Sequence, residues 1–204
     1  LSLISLKREK LFPINLYWCK SDLPHAAIED YVRDKLGQYT GYTSFYDDEF
    51  NREMQFGQPF AKEMEEDMRK LSASYLQECG VPIKYYKDEK PKWWYSLYHA
   101  GDDHCVHNHP KSIAAGTYYP YADKDSSSIR FSHPVRGLMD WINCYPTEGG
   151  PIGDADNGVD LYRKSFCPET GAMAVWPSWL DHEVKPQKPV STDKARIAIS
   201  WNFG

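Results

Sequence analysis

The chain is 204 residues long, and 41% of it is apolar and 26% charged. That composition excludes a disordered segment and can bury a sizeable core, more naturally as one large domain than as two small ones. Twenty-four Lys and Arg against 29 Asp and Glu give a net charge of -5 with His neutral, which argues against a duplex nucleic-acid binder. No run approaches the ~20 apolar residues of a membrane helix. The opening Leu1–Lys10 is also too short and interrupted for a secretory signal.

In chain order, Leu11 to Trp18 is a short apolar run with Pro13 inside it, which predicts an edge strand. After Pro24, the spacing of Ile28, Tyr31, Val32 and Leu36 predicts a helix over Ala26–Leu36, with Gly37 as its stop. Gln38 to Gly57 is polar and aromatic without a period and reads as loop. Pro59 to Cys79 carries a clean stripe of Phe60, Met64, Met68, Leu71, Tyr75, Leu76 and Cys79, opposite Glu65, Glu66 and Arg69. This is a helix whose methionines are expected in the core.

From Lys92 the texture changes to short runs rich in Tyr, Trp, Val and Ile. Strands are expected over Trp93–His99, Ser112–Tyr121, Ser128–Ser132, Ala172–Trp176 and Ala195–Phe203, separated by turn clusters. This spacing predicts an antiparallel sandwich or jelly roll. Gly137 to Arg163 interrupts it with a long polar stretch that reads equally as a lid or as a packed surface excursion. The expected organisation is a single domain over 1–204. Residues 1–90 form its helical part and 91–204 a jelly-roll core with the 137–163 insertion. The class is α+β, with the N-terminal helices packed against a sheet. Five cysteines, widely spaced and without a C-x-x-C pair, exclude a disulfide framework and a thiolate zinc site and fit a reducing cytoplasm.

Chemistry concentrates in three places. His104, His107 and His109 fall within six residues. In an extended segment His107 and His109 share a face and can reach one metal ion; two ordinary histidines are the equal alternative. About 75 residues on, His182 sits in a Pro- and Trp-rich turn, Trp176-Pro177-Ser178-Trp179-Leu180-Asp181-His182, placed to deliver a third ligand. In the last strand, residues 196, 198 and 200 share one face and Ile197, Ile199 and Trp201 the other. If the apolar set meets the helices, Arg196 points inward, where a guanidinium needs an anion. A structural ion pair is the simpler reading of Arg196 alone.

Taken in order, these segments resemble the Fe(II)- and 2-oxoglutarate-dependent oxygenases, and within them a small bacterial and phage branch. That branch has a Gly-Asp turn before His-x-His-Pro-x-Ser and a small-Gly-x-Tyr-Tyr strand. Further on come Phe-Pro-Ser-x-x-x-His-x-Val-x-Pro and Arg-x-Ser-x-Ser-Phe-Asn. The counterparts are Gly101-Asp102, His107 to Ser112, Ala115 to Tyr119, Trp176 to Pro186 and Arg196 to Phe203. The resemblance covers roughly residues 90–204 and implies a double-stranded β-helix (jelly roll, cupin-like) holding iron between two strands. It implies His107 and His182 as metal ligands, and Arg196 as the clamp on the far carboxylate of 2-oxoglutarate.

His109 stands where the wider superfamily has Asp or Glu, either as a third imidazole ligand or beside the site. Ala198 replaces a Ser that often assists the clamp, and His133 replaces an acidic residue. Ser96, Tyr98, Tyr118 and Ser200 are the expected further cosubstrate contacts, and Trp94, Trp176 and Trp179 the expected substrate-pocket aromatics. No catalytic group beyond the metal site is implied. The implied reaction is hydroxylation of a small-molecule or peptidyl substrate with O2, releasing succinate and CO2. Two other readings stay open: a three-His dioxygenase of the cupin kind that needs no 2-oxoglutarate, and a non-catalytic metal-binding module. A homodimer is compatible with either.

Overall fold

The computed structural model describes residues 14–36, 43–49, 51–52, 58–135, 163–186 and 194–204. Strand β1 (Tyr17–Lys20) precedes helices α1 (His25–Leu36) and α2 (Ala61–Glu78). A 3-10 turn at Ile83–Tyr85 leads into β2 (Lys92–Tyr98), β3 (His104–His107), β4 (Ala114–Tyr121) and β5 (Ile129–Ser132). The last strands are β6 (Arg163–Phe166), β7 (Ala172–Pro177), β8 (His182–Val184) and β9 (Arg196–Phe203). They build a major sheet of order β1-β7-β4-β9-β2 and a minor sheet of order β3-β8-β5-β6, with every pairing antiparallel. This is the expected jelly roll, few in helices and mostly β.

Both helices cover the outer face of the major sheet. The α1 stripe Ile28, Val32 and Leu36 and the α2 stripe Met64, Met68, Tyr75 and Leu76 are buried there, so the methionines are core. From the sheet they meet Trp93, Tyr95 and Leu97 of β2, Tyr118 of β4, and Ile197, Ile199 and Trp201 of β9. Burying these faces supplies the main stabilisation, about 1.5–3 kcal/mol for each large apolar side chain. Trp201 donates its indole N–H to Ser72 Oγ (3.0 Å), which fixes sheet to helix. The opposite parity faces the sandwich interior, where Ala115, Tyr119, Ala174, Trp176 and Ala198 meet Ile129, Phe131 and Val184 of the minor sheet. Outside that sheet, Glu183 takes a 2.6 Å ion pair from Arg130.

The edge strand begins at Tyr17, later than expected, and pairs only with β7; residues 11–13 lie outside the described residues. Three short strands carry no periodic signal in the sequence: β3, β6 and β8. Arg163, read as the end of the long insertion, opens β6, whereas residues 137–162 lie outside the described residues. No helix among the described residues is long and apolar enough to cross a membrane.

Candidate metal centre

The strand registers put one set of ends together. Lys92 pairs with Asn202, Ala114 with Phe203 and Pro177, His107 with His182, and Ser132 with Arg163. At this end His107 closes β3 and His182 opens β8 on the minor sheet's inner face. His109 lies two residues beyond β3, so it is not the in-strand neighbour the spacing predicted. Its backbone N–H instead donates to Ser178 O (2.8 Å), holding it at the β7–β8 connection. One ligand atom from each of His107, His109 and His182 lies within 4.8 Å of the others. The Nε2 atoms of His109 and His182 are 3.2 Å apart.

Hydrogen bonding sets which nitrogens stay open. A carbonyl oxygen only accepts, so His107 Nδ1–H donates to Cys105 O and His182 Nδ1–H to Leu180 O, each at 2.8 Å. Each ring then keeps its Nε2 lone pair for a metal. Burial keeps the rings neutral. It lowers His182 to about 3 and His109 to about 4, with the neighbouring His107 adding to both and Asn202 hydrogen bonding opposing at His109. His107 is lowered too, again mainly by burial. Neutral imidazoles converging on one point suit Fe(II) or Zn(II), and no carboxylate joins the cluster among the described residues.

The cavity beside the histidines runs toward Arg196, at the opposite end of β9. Ser96, Tyr98 and Ser200 line it with Arg196, as do Trp94 and Trp176. Arg196 is 1% exposed, and among the described residues it makes no ion pair. One terminal N–H donates to Ser127 O, Nε has no partner, and the guanidinium lies 4.1 Å over the Tyr98 ring. Burial raises the Tyr98 and Tyr119 phenols and Arg196 pulls both back, so both remain protonated donors. A buried guanidinium with an unmatched donor fits a carboxylate from outside the chain.

Two expected contacts are corrected. Tyr118 belongs to the helix-facing side of β4, where its hydroxyl meets His25 Nδ1 at 2.6 Å; Tyr119 is the one that reaches the cavity. Trp179 is 55% exposed and lines an outer groove rather than the metal cavity. Sequence reasoning counted His104 in the cluster but gave it no place in the site. It faces inward three residues before His107 because the β3–β8 register shifts between them, and it stacks on His107 at 3.9 Å.

The fold is similar to that of a Pseudomonas putida prolyl-4-hydroxylase (TM-score 0.54, 17% identity), covering 93% of this chain and 87% of that one. It is also similar to EvdO2 from Micromonospora carbonacea var. aurantiaca (TM-score 0.56, 10% identity), covering 93% and 87%. A third likeness is to apo HygX from Streptomyces hygroscopicus (TM-score 0.51, 7% identity), covering 94% and 82%. At these identities the likeness is one of fold. No functionally curated protein matches the chain in sequence. Residues 92–202, more than half of the chain, match the family described as "Putative 2OG-Fe(II) oxygenase", and the protein therefore belongs to this oxygenase family, whose cofactors are Fe(II) and 2-oxoglutarate.

Proposed function

We propose that the protein hydroxylates a small-molecule or peptidyl substrate in a reaction dependent on 2-oxoglutarate, with His107, His109 and His182 as the iron ligands. The observation that carries this reading is Arg196, a fully buried guanidinium facing the histidine cavity without an acidic partner among the described residues. When bound, Fe(II) and 2-oxoglutarate supply the oxidising chemistry, coupling C–H hydroxylation to release of succinate and CO2. The chain's own groups orient and exclude. His107 and His182 are locked in the metal-binding tautomer by their own backbone. Arg196 and the protonated Tyr98 and Tyr119 hold the cosubstrate's far carboxylate, with Ser96 and Ser200 alongside. Trp94 and Trp176 keep water from the reacting centre.

Anaerobic titration of 2-oxoglutarate into the Fe(II) protein, followed by the visible charge-transfer band, tests this. Truncating one side of a desolvated charge pair costs about 2–4 kcal/mol. Arg196→Met should therefore weaken cosubstrate binding roughly 30- to 1000-fold while sparing iron. An unchanged midpoint would make Arg196 a structural group. A three-imidazole set without a carboxylate also favours a second reading, a dioxygenase in which Arg196 binds the substrate's own carboxylate. Failure to form succinate from 2-oxoglutarate would select it.

A further inference from the structure

Part of the stretch read as loop is clamped onto β2. Ser44 N–H donates to Tyr95 O, and Tyr95 N–H donates back to Ser44 Oγ, both at 2.9 Å. Asn51 closes the clamp from within, accepting from Ser44 Oγ and donating its amide N–H to Ser44 O, both at 2.7 Å. Ser44 is fully buried, yet the residues it holds in place are exposed aromatics: Phe45 at 42% and Tyr46 at 89%. Their rings stand edge to face at 4.8 Å, and Phe45 meets Trp94 in the same manner at 4.8 Å. Trp94 in turn lies 5.8 Å from His109. An unbroken aromatic path thus runs from the surface to the metal centre.

Beside this path is a cleft of about 510 Å³ whose lining includes Phe45, Asp48, Arg52, Lys92, Trp94 and Asn202. Among the described residues, neither Arg52 nor Lys92 makes an ion pair, and Arg52 is tied only through its Nε–H to Asp48 O (3.1 Å). Two cations and one acid on the rim leave one positive charge unmatched. Folding gains nothing from holding aromatic faces in water, whereas a flat ligand gains a great deal from them.

We propose that this cleft is the substrate subsite and takes a carboxylate-bearing molecule with a flat, conjugated body. The body stacks on the exposed ring of Phe45, with the largely buried Trp94 at the floor of the cleft, and the carboxylate meets Arg52 and Lys92. The assignment of the ligand as substrate rests on the oxygenase reading above; its binding does not.

The probe is trans-cinnamate, with neutral trans-cinnamamide for comparison. Both are titrated by saturation-transfer NMR into the full chain after chelator treatment, and in parallel into Arg196→Met, in which the cavity's buried cation is absent. Cinnamate is expected to bind in the millimolar range, the scale for a fragment of this size. Phe45→Ala should weaken it about tenfold or more, as should the double variant Arg52→Gln/Lys92→Gln, whereas Arg196→Met should leave it unchanged. Adding Mn(II) should then broaden the cinnamate resonances, placing the cleft against the metal. No binding up to about 10 mM, equal binding of the amide, or unchanged affinity in Phe45→Ala would overturn the assignment. So would cinnamate resonances left sharp by Mn(II). Loss of the 2-oxoglutarate band in the parent protein with these results intact would instead sink the oxygenase reading and leave a carboxylate-binding cleft.

Discussion

His107 and His182 each commit Nδ1–H to a carbonyl two residues upstream, Cys105 and Leu180, so the side chains at 105 and 180 are not needed to hold the tautomer. His104, stacked on His107, lies outside the group of converging ligand atoms formed by His107, His109 and His182. His107→Ala and His182→Ala should therefore abolish stoichiometric iron binding, measured by metal analysis of anaerobically purified protein, while circular dichroism stays native. Full occupancy in either variant would refute its role as a ligand. The same burial makes a pH prediction for chelator-treated protein. His104 and His109 are lowered to about 4 and His182 to about 3, from an ordinary 6.5. As pH falls below 6.5 the unfolded chain takes up protons first, so stability present above that pH is lost down to about 4 and 3. Each histidine contributes up to about 1.4 kcal/mol per pH unit. Urea denaturation between pH 7 and 5 should show this slope, and His182→Asn should flatten it; a level profile would mean the rings are charged or solvated.

At the scale of elements, β9 was the most legible strand. Its alternation places Ile197, Ile199 and Trp201 against the helices and Arg196 and Ala198 inside, as its pattern states. In β4 both faces are buried and both carry aromatics, so no polar–apolar contrast marks parity, and Tyr118 and Tyr119 look alike in sequence. Strands β3, β6 and β8 are three or four residues long and half polar, too short for a period to register. His104 was hidden for another reason: regular alternation from His107 points it outward, and only a tertiary register shift turns it in. The Tyr118–Tyr119 strand also contains a close approach that can be tested. A Cβ at Gly116 would overlap the Trp201 indole, which Ser72 holds in place. Gly116→Ala should cost about 1–3 kcal/mol, seen as a lower urea midpoint with unchanged slope; an unchanged midpoint would show that Trp201 can move.

At the scale of the whole molecule, the two halves of the proposed cosubstrate site belong to different sheets. His107 and His182 are on the minor sheet and Arg196 is on the major one. On the proposed assignment, iron by itself would tie β3 and β8 to the segment carrying His109, whereas 2-oxoglutarate would also tie the minor sheet to β9. A ligand bound only to the folded state at 100 times its Kd adds about 2.7 kcal/mol. Fe(II) under anaerobic conditions should raise Tm, and 2-oxoglutarate should raise it further only when iron is present and only with Arg196 intact. A full cosubstrate shift in the metal-free protein would separate the two sites.

Two residues of β3, Cys105 and Val106, stand opposite the single residue Glu183 of β8. Without one of them, His104 and His107 would sit at i and i+2 and face inward on an unbroken strand. At the three-residue spacing of this chain the surplus residue turns His104 inward, and it also lengthens the path to Asn108 and His109. Deleting Val106 would keep both histidines inward and pull His109 back by about 3 Å. This exposed valine is thus a spacer, whose loss would move His109, the proposed third ligand, and leave the His104–His107 pair facing the same way.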